Sequence, residues 1–90
     1  MFDAKQLAQV DPVYFNIIVA DEMDITIQSR NTGHYWYLHC TEYPGTSSCV
    51  IFHKHKFHHP YHQHGRGNSL GQAIKSIQSH DRWQMNGRHR

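Results

Sequence analysis

The sequence is short of cysteine, charge and long apolar segments, and each shortage excludes a class of protein. Two cysteines in 90 residues, Cys40 and Cys49, are too few for the disulfide framework of a small secreted domain. Uninterrupted apolar runs such as residues 17–20 are four residues long, whereas a membrane helix needs about 20. The chain does not begin with a basic segment followed by an apolar one, so we expect a cytoplasmic protein with reduced thiols. Spacing alone leaves open a disulfide across a hairpin.

The residues that are present favour one small folded domain over residues 1–90. Hydrophobic residues make up 38% of the chain and aromatic residues 12%, which indicates a modest packed core. Residues 1–50 carry two lysines or arginines against six acidic residues, and residues 51–90 carry seven against one. Eight of the ten histidines also lie in the second half, where we therefore expect an anionic partner to bind.

Two helix-start signals lie near the N-terminus. Asp3 can cap a first helical turn or two. Asp11 followed by Pro12 is a second start signal, because proline is well suited to the first helical position. Residues 12–20 are rich in β-branched and aromatic side chains, so a strand competes with a helix there. The start signal makes us favour the helix.

A change of period from 3.6 to 2 predicts three strands after this helix. Apolar residues alternate with polar ones from Asp24, then over residues 34–41 and 48–56, with turn signals at residues 31–33 and 43–47. We expect an antiparallel meander whose core face carries Ile25, Ile27, Trp36, Leu38, Cys40, Val50 and Phe52. The opposite face would then show Tyr35, Tyr37, His39, Ile51, His53 and His55.

The rest of the chain is expected to form a loop, a helix and a tail. Residues 57–68 form a histidine-rich loop. Ser69 and Gln72 fit a capping box, and apolar residues at helical spacing after them form a stripe that can cover the core face. Residues 84–90 read as a frayed basic tail. The predicted fold is α+β: an N-terminal helix, a three-stranded antiparallel β-meander, and a C-terminal helix packed on one sheet face.

Nucleic-acid binding is the function that uses most of these features. Lysine and arginine side chains contact phosphates, and tyrosines on an open sheet face stack on bases. Glycines 65 and 67 would let a loop backbone approach closely, and the helix N-terminus at Ser69 offers N–H groups to an anion. We interpret the protein as a small non-enzymatic nucleic-acid-binding domain. The candidate residues are Lys54, Lys56, Arg66, Lys75, Arg82, Tyr35 and Tyr37.

Residues 65–73, GRGNSLGQA, together with the helix–three strands–helix order, resemble the double-stranded-RNA-binding domain. The glycines, serine and alanine fall where that family's loop and second helix have them. The resemblance implies an α-β-β-β-α fold and contact with the phosphates of duplex RNA. The sequence departs from the family at Leu70 and Gly71, where the family has paired lysines that hold phosphates. The resemblance therefore bears on the fold more than on the function.

The histidines suggest an alternative function, the binding of a transition metal. Neutral imidazole is a ligand for zinc, nickel and copper, and residues two apart on a strand point to the same side. The spacing matches no zinc finger. Zinc or nickel would be the expected ion. The candidate ligands are His39, His53, His55, His62 and His64.

Catalysis has little support in the sequence. Residues 58–60, Asn68 and His80 resemble part of the histidine-asparagine-histidine nuclease motif, which implies metal-dependent phosphodiester cleavage. Only eight residues separate His59 from Asn68, too few for the hairpin of that family. We therefore expect that the protein is not an enzyme.

A third class is a protein-interaction or inhibitor module of the kind found in phages and mobile elements. A sheet face rich in tyrosine and histidine, with an acidic first half and a basic second half, suits docking on a larger protein. The same face would also suit a homodimer.

Overall fold

Within residues 1–41 and 48–87, which are those that the computed structural model describes, the chain forms two helices and five strands. The strands form one antiparallel sheet in the order β1-β2-β3-β4-β5. The α+β class is confirmed, but the sheet has five strands and not three. The predicted turn at residues 43–47 and the last residues of the predicted tail lie outside the described ranges. The elements are α1 (Ala4–Leu7), β1 (Phe15–Ala20), β2 (Asp24–Ser29), β3 (Tyr35–Cys40), β4 (Cys49–Lys54), β5 (His62–Gly67) and α2 (Leu70–Gly87).

The first additional strand, β1, occupies the segment for which we favoured a helix. Asp11 does start one helical turn: its carboxylate accepts a hydrogen bond from the Val13 N–H (2.9 Å), and its carbonyl accepts one from the Phe15 N–H (2.8 Å). The chain then extends over the β-branched residues 17–19, of which Ile17 and Val19 pair with β2 across a shift in register. The helix predicted over residues 12–20 is therefore wrong, because side-chain branching and sheet pairing prevail after a single turn.

The second additional strand, β5, lies in the histidine-rich segment 57–68 that we predicted to be a loop. Residues 62–67 pair with β4, where they satisfy backbone groups that would otherwise be exposed at the sheet edge. The register places Gly65 opposite Ile51 and Gln63 opposite Phe52, so it skips His64. This irregularity corresponds to a β-bulge, which an antiparallel ladder tolerates.

The core lies between α2 and one face of the sheet, here called the covered face. In β2 and β3 this face carries the predicted apolar residues. In β4 the predicted face is wrong, because Cys49, Ile51 and His53 stand opposite Cys40, Leu38 and Trp36 and share their side of the sheet. Val50 and Phe52 are half-buried on the other side, here called the open face. The core residues of the sheet are Phe15, Ile25, Ile27, Trp36, Leu38, Cys40, Cys49 and Ile51.

Helix α2 is fixed at both ends of its contact with the sheet. At its start, the Ser69 hydroxyl accepts a hydrogen bond from the Gln72 N–H (3.2 Å), as a capping residue does. A Cβ added to Gly67 would lie 2.9 Å from Ala73, so β5 and α2 approach too closely for any other residue there. The helix runs to Gly87, and residues 84–87 are therefore helical and not part of a frayed tail.

A buried carboxylate holds the later part of α2 to the strands. Asp81 is fully buried, and it accepts hydrogen bonds from the hydroxyls of Tyr14 (2.7 Å) and Thr32 (3.1 Å). Burial, followed by the hydrogen bond to Asp81, raises the pKa of Tyr14 to about 12. Asp81 thus anchors α2 to the segments before β1 and between β2 and β3.

The two cysteines lie side by side in the core. Cys40 and Cys49 are opposite each other on β3 and β4, and both are buried free thiols. Burial and the neighbouring Cys40 raise the pKa of Cys49 to about 11. The Cys49 side chain therefore packs as a small uncharged group beside the buried Cys40.

Candidate functional sites on the two faces of the sheet

Three histidines from separate elements meet on the covered face and form what we call the histidine triad. His34 immediately precedes β3, His53 lies in β4 and His80 in α2. Each offers one ring nitrogen, and these nitrogens all lie within 4.8 Å of one another. Nε2 of His53 is 3.0 Å from Nδ1 of His34, within hydrogen-bonding distance. This distance and the burial of the rings make the triad a candidate site for a metal ion.

The surroundings of the triad favour the neutral form of two of its imidazoles, those of His53 and His80. His34 and His53 are only 6% and 2% exposed, and His80 is half-buried. Burial, reinforced by the neighbouring histidines, lowers the pKa of His53 to about 3. Burial also lowers the pKa of His80. Neutral imidazole is the form that binds metals, so no proton has to be displaced from His53 at neutral pH.

Aromatic rings from β3 and α2 contact the triad. The indole of Trp36 stacks on His53 with ring centroids 4.1 Å apart, and it donates its N–H to Ser29 Oγ (3.1 Å). Trp83, which is 61% exposed, lies 5.8 Å from His80. Both tryptophans of the chain therefore contact the triad.

The structure brings together four of the five histidines predicted as ligands, but only His53 belongs to the triad. The other three surround it on the covered face: the ring of His55 stacks on His34 (4.3 Å), that of His62 is 5.3 Å from His53, and that of His64 is 5.2 Å from His80. Burial lowers the pKa of His64 as well.

The fifth predicted ligand, His39, is on the wrong side of the sheet. Its position in β3 alternates with the buried Trp36, Leu38 and Cys40, so it faces outward. Its Nδ1 lies 2.8 Å from the carboxylate of Asp24, the residue opposite it in β2. His39 is therefore not part of any site that His53 could form.

Sequence reasoning missed the other two triad members, His34 and His80. His80 follows Ala73 and Ile77 at helical spacing, so the buried stripe of α2 could have indicated that it faces the sheet. No local signal marks His34, which reaches the triad because antiparallel pairing brings the start of β3 to the end of β4.

On the open face, three aromatic rings surround one lysine, and we call this group the aromatic cage. The ammonium group of Lys54 lies 4.4 Å from the ring centroid of Tyr61, 5.1 Å from that of Phe57 and 5.4 Å from that of Tyr35. It also donates a hydrogen bond to the Phe57 carbonyl (2.7 Å). Distances of this kind are typical of cation–π contacts. Phe57 is 75% exposed, so the cage is open to solvent.

The aromatic surface continues from the cage along β3 and β4. Tyr37 stacks on Phe52 with centroids 5.6 Å apart, and it also lies 6.1 Å from Tyr61. Beyond Tyr37 lies the carboxylate of Asp24, which accepts a hydrogen bond from the Tyr37 hydroxyl. This bond, followed by that from His39, lowers the pKa of Asp24, and the same bond raises the pKa of Tyr37 to about 12.

The predicted phosphate-binding cations do not share one surface. Lys54 and Arg66 belong to the open face, since Arg66 pairs with the outward-facing Val50, and Lys56 is exposed in the turn after β4. Lys75 and Arg82 are exposed on α2, which covers the other side of the sheet. The predicted nucleic-acid site therefore divides into an open-face group and a separate helix group.

The two family resemblances do not extend to the three-dimensional structure. The sheet has five strands and α1 only four residues, unlike the α-β-β-β-α order implied by the RNA-binding resemblance. Gly67, placed there in a phosphate-binding loop, lies in β5 and allows α2 to pack. Of the residues resembling the nuclease motif, His59 is exposed in the turn before β5, whereas His80 belongs to the buried triad.

No known protein family, curated protein or solved structure matches the chain. Among residues 1–41 and 48–87, neither helix has the length and apolar character that crossing a membrane requires. Proposals about function therefore depend on the geometry of the two faces alone.

Proposed function

We propose that the protein binds single-stranded nucleic acid on its open face. The observation that carries this proposal is the aromatic cage, in which a cation lies among exposed rings. Proteins that bind single strands combine these two elements: rings on which bases stack, and positive charges that follow the backbone. Sheet faces in contact with water rarely carry a continuous aromatic surface of this kind. Large exposed apolar patches commonly mark binding sites.

The rings favour a single strand over a duplex. In a duplex the bases already stack on each other, and their faces are not accessible to a protein ring. Phe57 and Tyr61 are exposed at the edge of the cage, and Tyr37 and Phe52 extend it across two neighbouring strands. A strand lying across β3 and β4 would find several rings for successive unpaired bases.

The charges define which end of the open face would hold the backbone. Lys54 uses one ammonium N–H for the Phe57 carbonyl and keeps the others for a phosphate oxygen. Lys56 adds positive charge in the turn at the same end, whereas Arg66 lies in the row of Val50 and His39. Asp24 lies at the opposite end, where its carboxylate would repel a phosphate. The strand would therefore bind at the end of the face formed by the β4–β5 turn.

Fluorescence anisotropy with short labelled oligonucleotides tests this proposal. We expect single-stranded RNA or DNA to bind more tightly than the corresponding duplex, with an affinity that falls as salt rises. The measurement should be made with a chelator present, at low and near-physiological salt. Phe57→Ala should weaken binding by about fivefold or more, because one stacked base contributes on the order of 1–3 kcal/mol. Lys54→Gln should reduce the salt dependence.

The chain provides a matched control for charge. The double variant Lys75→Ala/Arg82→Ala removes two exposed cations from α2, on the side away from the cage. It should bind oligonucleotides nearly as well as the parent. If this double variant lost more affinity than Lys54→Gln, or if duplex bound as well as single strand, binding would reflect net charge and the open-face site would be wrong.

Strand β1 favours a second candidate function, self-association. It forms one edge of the sheet, and its side chains Ile17, Ile18 and Val19 are 38%, 50% and 47% exposed. Exposed apolar edge strands readily pair with another strand. A second copy of this chain could pair through β1 about a two-fold axis. Analytical ultracentrifugation should then show a dimer that Ile18→Lys dissociates, and a parent that stays monomeric at all concentrations would exclude it.

A further inference from the structure

The covered face holds a polar group that the proposed nucleic-acid function does not use. The histidine triad lies where α2 packs on the sheet. Burial there costs an imidazole its hydrogen bonds with water, whereas an apolar side chain has none to lose. His53 is almost fully buried, and its neighbours His34 and His80 are also imidazoles. A buried group of three imidazoles offers several nitrogen lone pairs to one small ligand.

We propose that His34, His53 and His80 bind one transition-metal ion of the zinc or nickel class. Nitrogen ligands about 2.0 Å from a tetrahedral ion lie about 3.3 Å from one another. The triad nitrogens are already within 4.8 Å, and one pair is 3.0 Å apart. Small side-chain rotations would therefore suffice to close the site around an ion.

An unpartnered atom in the triad supports this proposal independently. Nδ1 of His80 is buried and has no hydrogen-bond partner among residues 1–41 and 48–87. Buried polar atoms are nearly always paired, so one without a partner needs an explanation. A metal ion bound by the triad would form a bond with the His80 ring, which has an unpaired nitrogen among the described residues.

The set of donors indicates which ions the site would select. The carboxylate nearest in sequence, Asp81, is not among the grouped ligand atoms, and it accepts hydrogen bonds from Tyr14 (2.7 Å) and Thr32 (3.1 Å). Three neutral nitrogens without a carboxylate suit zinc, nickel or copper and do not suit magnesium or calcium. The ring of His64, 5.2 Å from that of His80, is the next imidazole available for a fourth position.

Both tryptophans make the site observable without a label. Trp36 stacks on His53, and Trp83 contacts His80, so an open-shell ion in the triad would lie close to both indoles. We expect Ni²⁺ to quench the intrinsic fluorescence and EDTA to restore it. Zn²⁺, measured by isothermal titration calorimetry on the chelator-treated full chain, should bind with one ion per chain and compete with Ni²⁺.

Three variants separate the triad from the many histidines at the surface. His53→Phe and His80→Gln should each lower Zn²⁺ affinity at least about tenfold, because even partners outside the ligand shell contribute that much. The double variant His58→Ala/His59→Ala removes two exposed imidazoles from the β4–β5 turn and should bind like the parent. Circular dichroism checks folding, and His80→Gln decides the question if His53→Phe does not fold.

The proposal fails if His80→Gln binds Zn²⁺ as the parent does, or if the surface double variant loses the tight site. Either result would assign binding to adventitious surface imidazoles. Because oligonucleotide binding is measured with chelator present, it can fail or succeed independently of the metal site.

Discussion

The two faces of the sheet each carry side chains that are uncommon in such a place. The covered face buries a cluster of imidazoles next to its apolar core, whereas the open face exposes tyrosine and phenylalanine rings. Adjacent residues of β3 show the contrast. On the covered face Trp36 is fully buried against His53, and on the open face Tyr37 is half-exposed and hydrogen-bonded to Asp24. Most proteins place aromatic rings inside and titratable groups outside.

This difference between the faces gives the two proposed activities different physical bases. Exposed rings can meet a ligand without any change in the core, so the open face is suited to reversible contact with a large partner. Buried imidazoles can meet only a small ligand, and that ligand would stabilise the fold because the unfolded chain lacks the assembled site. Mutations on the two faces should therefore differ in their effect on stability.

The largest difference is expected from substitution of the two adjacent β3 residues. Trp36→Ala should lower the free energy of unfolding by about 3–5 kcal/mol, because it leaves a cavity in the core. Tyr37→Ala should lower it by only about 1 kcal/mol, since much of that ring already contacts water. Urea unfolding followed by circular dichroism gives both values. Equal losses would mean that the open face is also packed as a core.

The second prediction concerns acid and the covered face. The pKa of His53 is about 3 in the folded protein, below the value of about 6.5 expected when unfolded. Below pH 6.5 the unfolded chain therefore binds a proton that the folded chain does not. The free energy of unfolding should fall as pH decreases from about 6.5 toward 3, by at most about 1.4 kcal/mol per pH unit for this histidine.

The variant His53→Phe tests the assignment of this acid sensitivity. Urea unfolding at several pH values, with EDTA present, should give a shallower dependence than in the parent. The remaining slope would include contributions from His64, His80 and Asp24, whose pKa values are also lowered. An unchanged slope would show that His53 does not control the acid response.

Local patterns in the sequence predicted the middle of the fold well. Alternation around Ile25 and the turn before His34 correctly gave β2 and β3, and Gly33 has the positive φ of 78° that such a turn requires. The predicted N-cap at Asp3 is confirmed, because the side chains of Asp3 and Gln6 each accept a hydrogen bond from the other residue's backbone N–H group. These features depend on neighbours a few residues apart, which the sequence displays directly.

Features that depend on distant pairing could not be predicted in this way. Strand β5 is polar and contains two glycines, and it becomes a strand because β4 offers it a partner. The side of β4 that faces the core follows from its register with β3, and an error of one residue exchanges the faces. That error placed His53 on the open face, so its contacts with His34 and His80 were not predicted.

A third prediction compares two tyrosine hydroxyls that each donate to an aspartate. Tyr14→Phe removes the bond to Asp81, a fully buried carboxylate that would keep only the bond from Thr32. We expect a loss of about 1–3 kcal/mol in the free energy of unfolding, because a buried acceptor is left partly unsatisfied. Urea unfolding of the single variant measures it, and a loss below the experimental error would mean that water replaces the hydroxyl.

The matched change on the open face, Tyr37→Phe, should have the smallest effect. Asp24 is partly exposed, and it keeps His39 at 2.8 Å and access to water. Because water can replace the lost hydroxyl at this exposed carboxylate, the loss should be about 1 kcal/mol or less. The pKa of Asp24, lowered chiefly by the bond from Tyr37, should rise toward its ordinary range, which NMR titration of the carboxyl can follow. A carboxyl whose pKa is lowered on folding stabilises the fold at pH values above its unfolded pKa. This small contribution should disappear at low pH in the parent, and it should be smaller in the variant wherever the carboxyl is ionised. A loss equal to that of Tyr14→Phe would remove the distinction between a face that maintains the fold and a face available for binding.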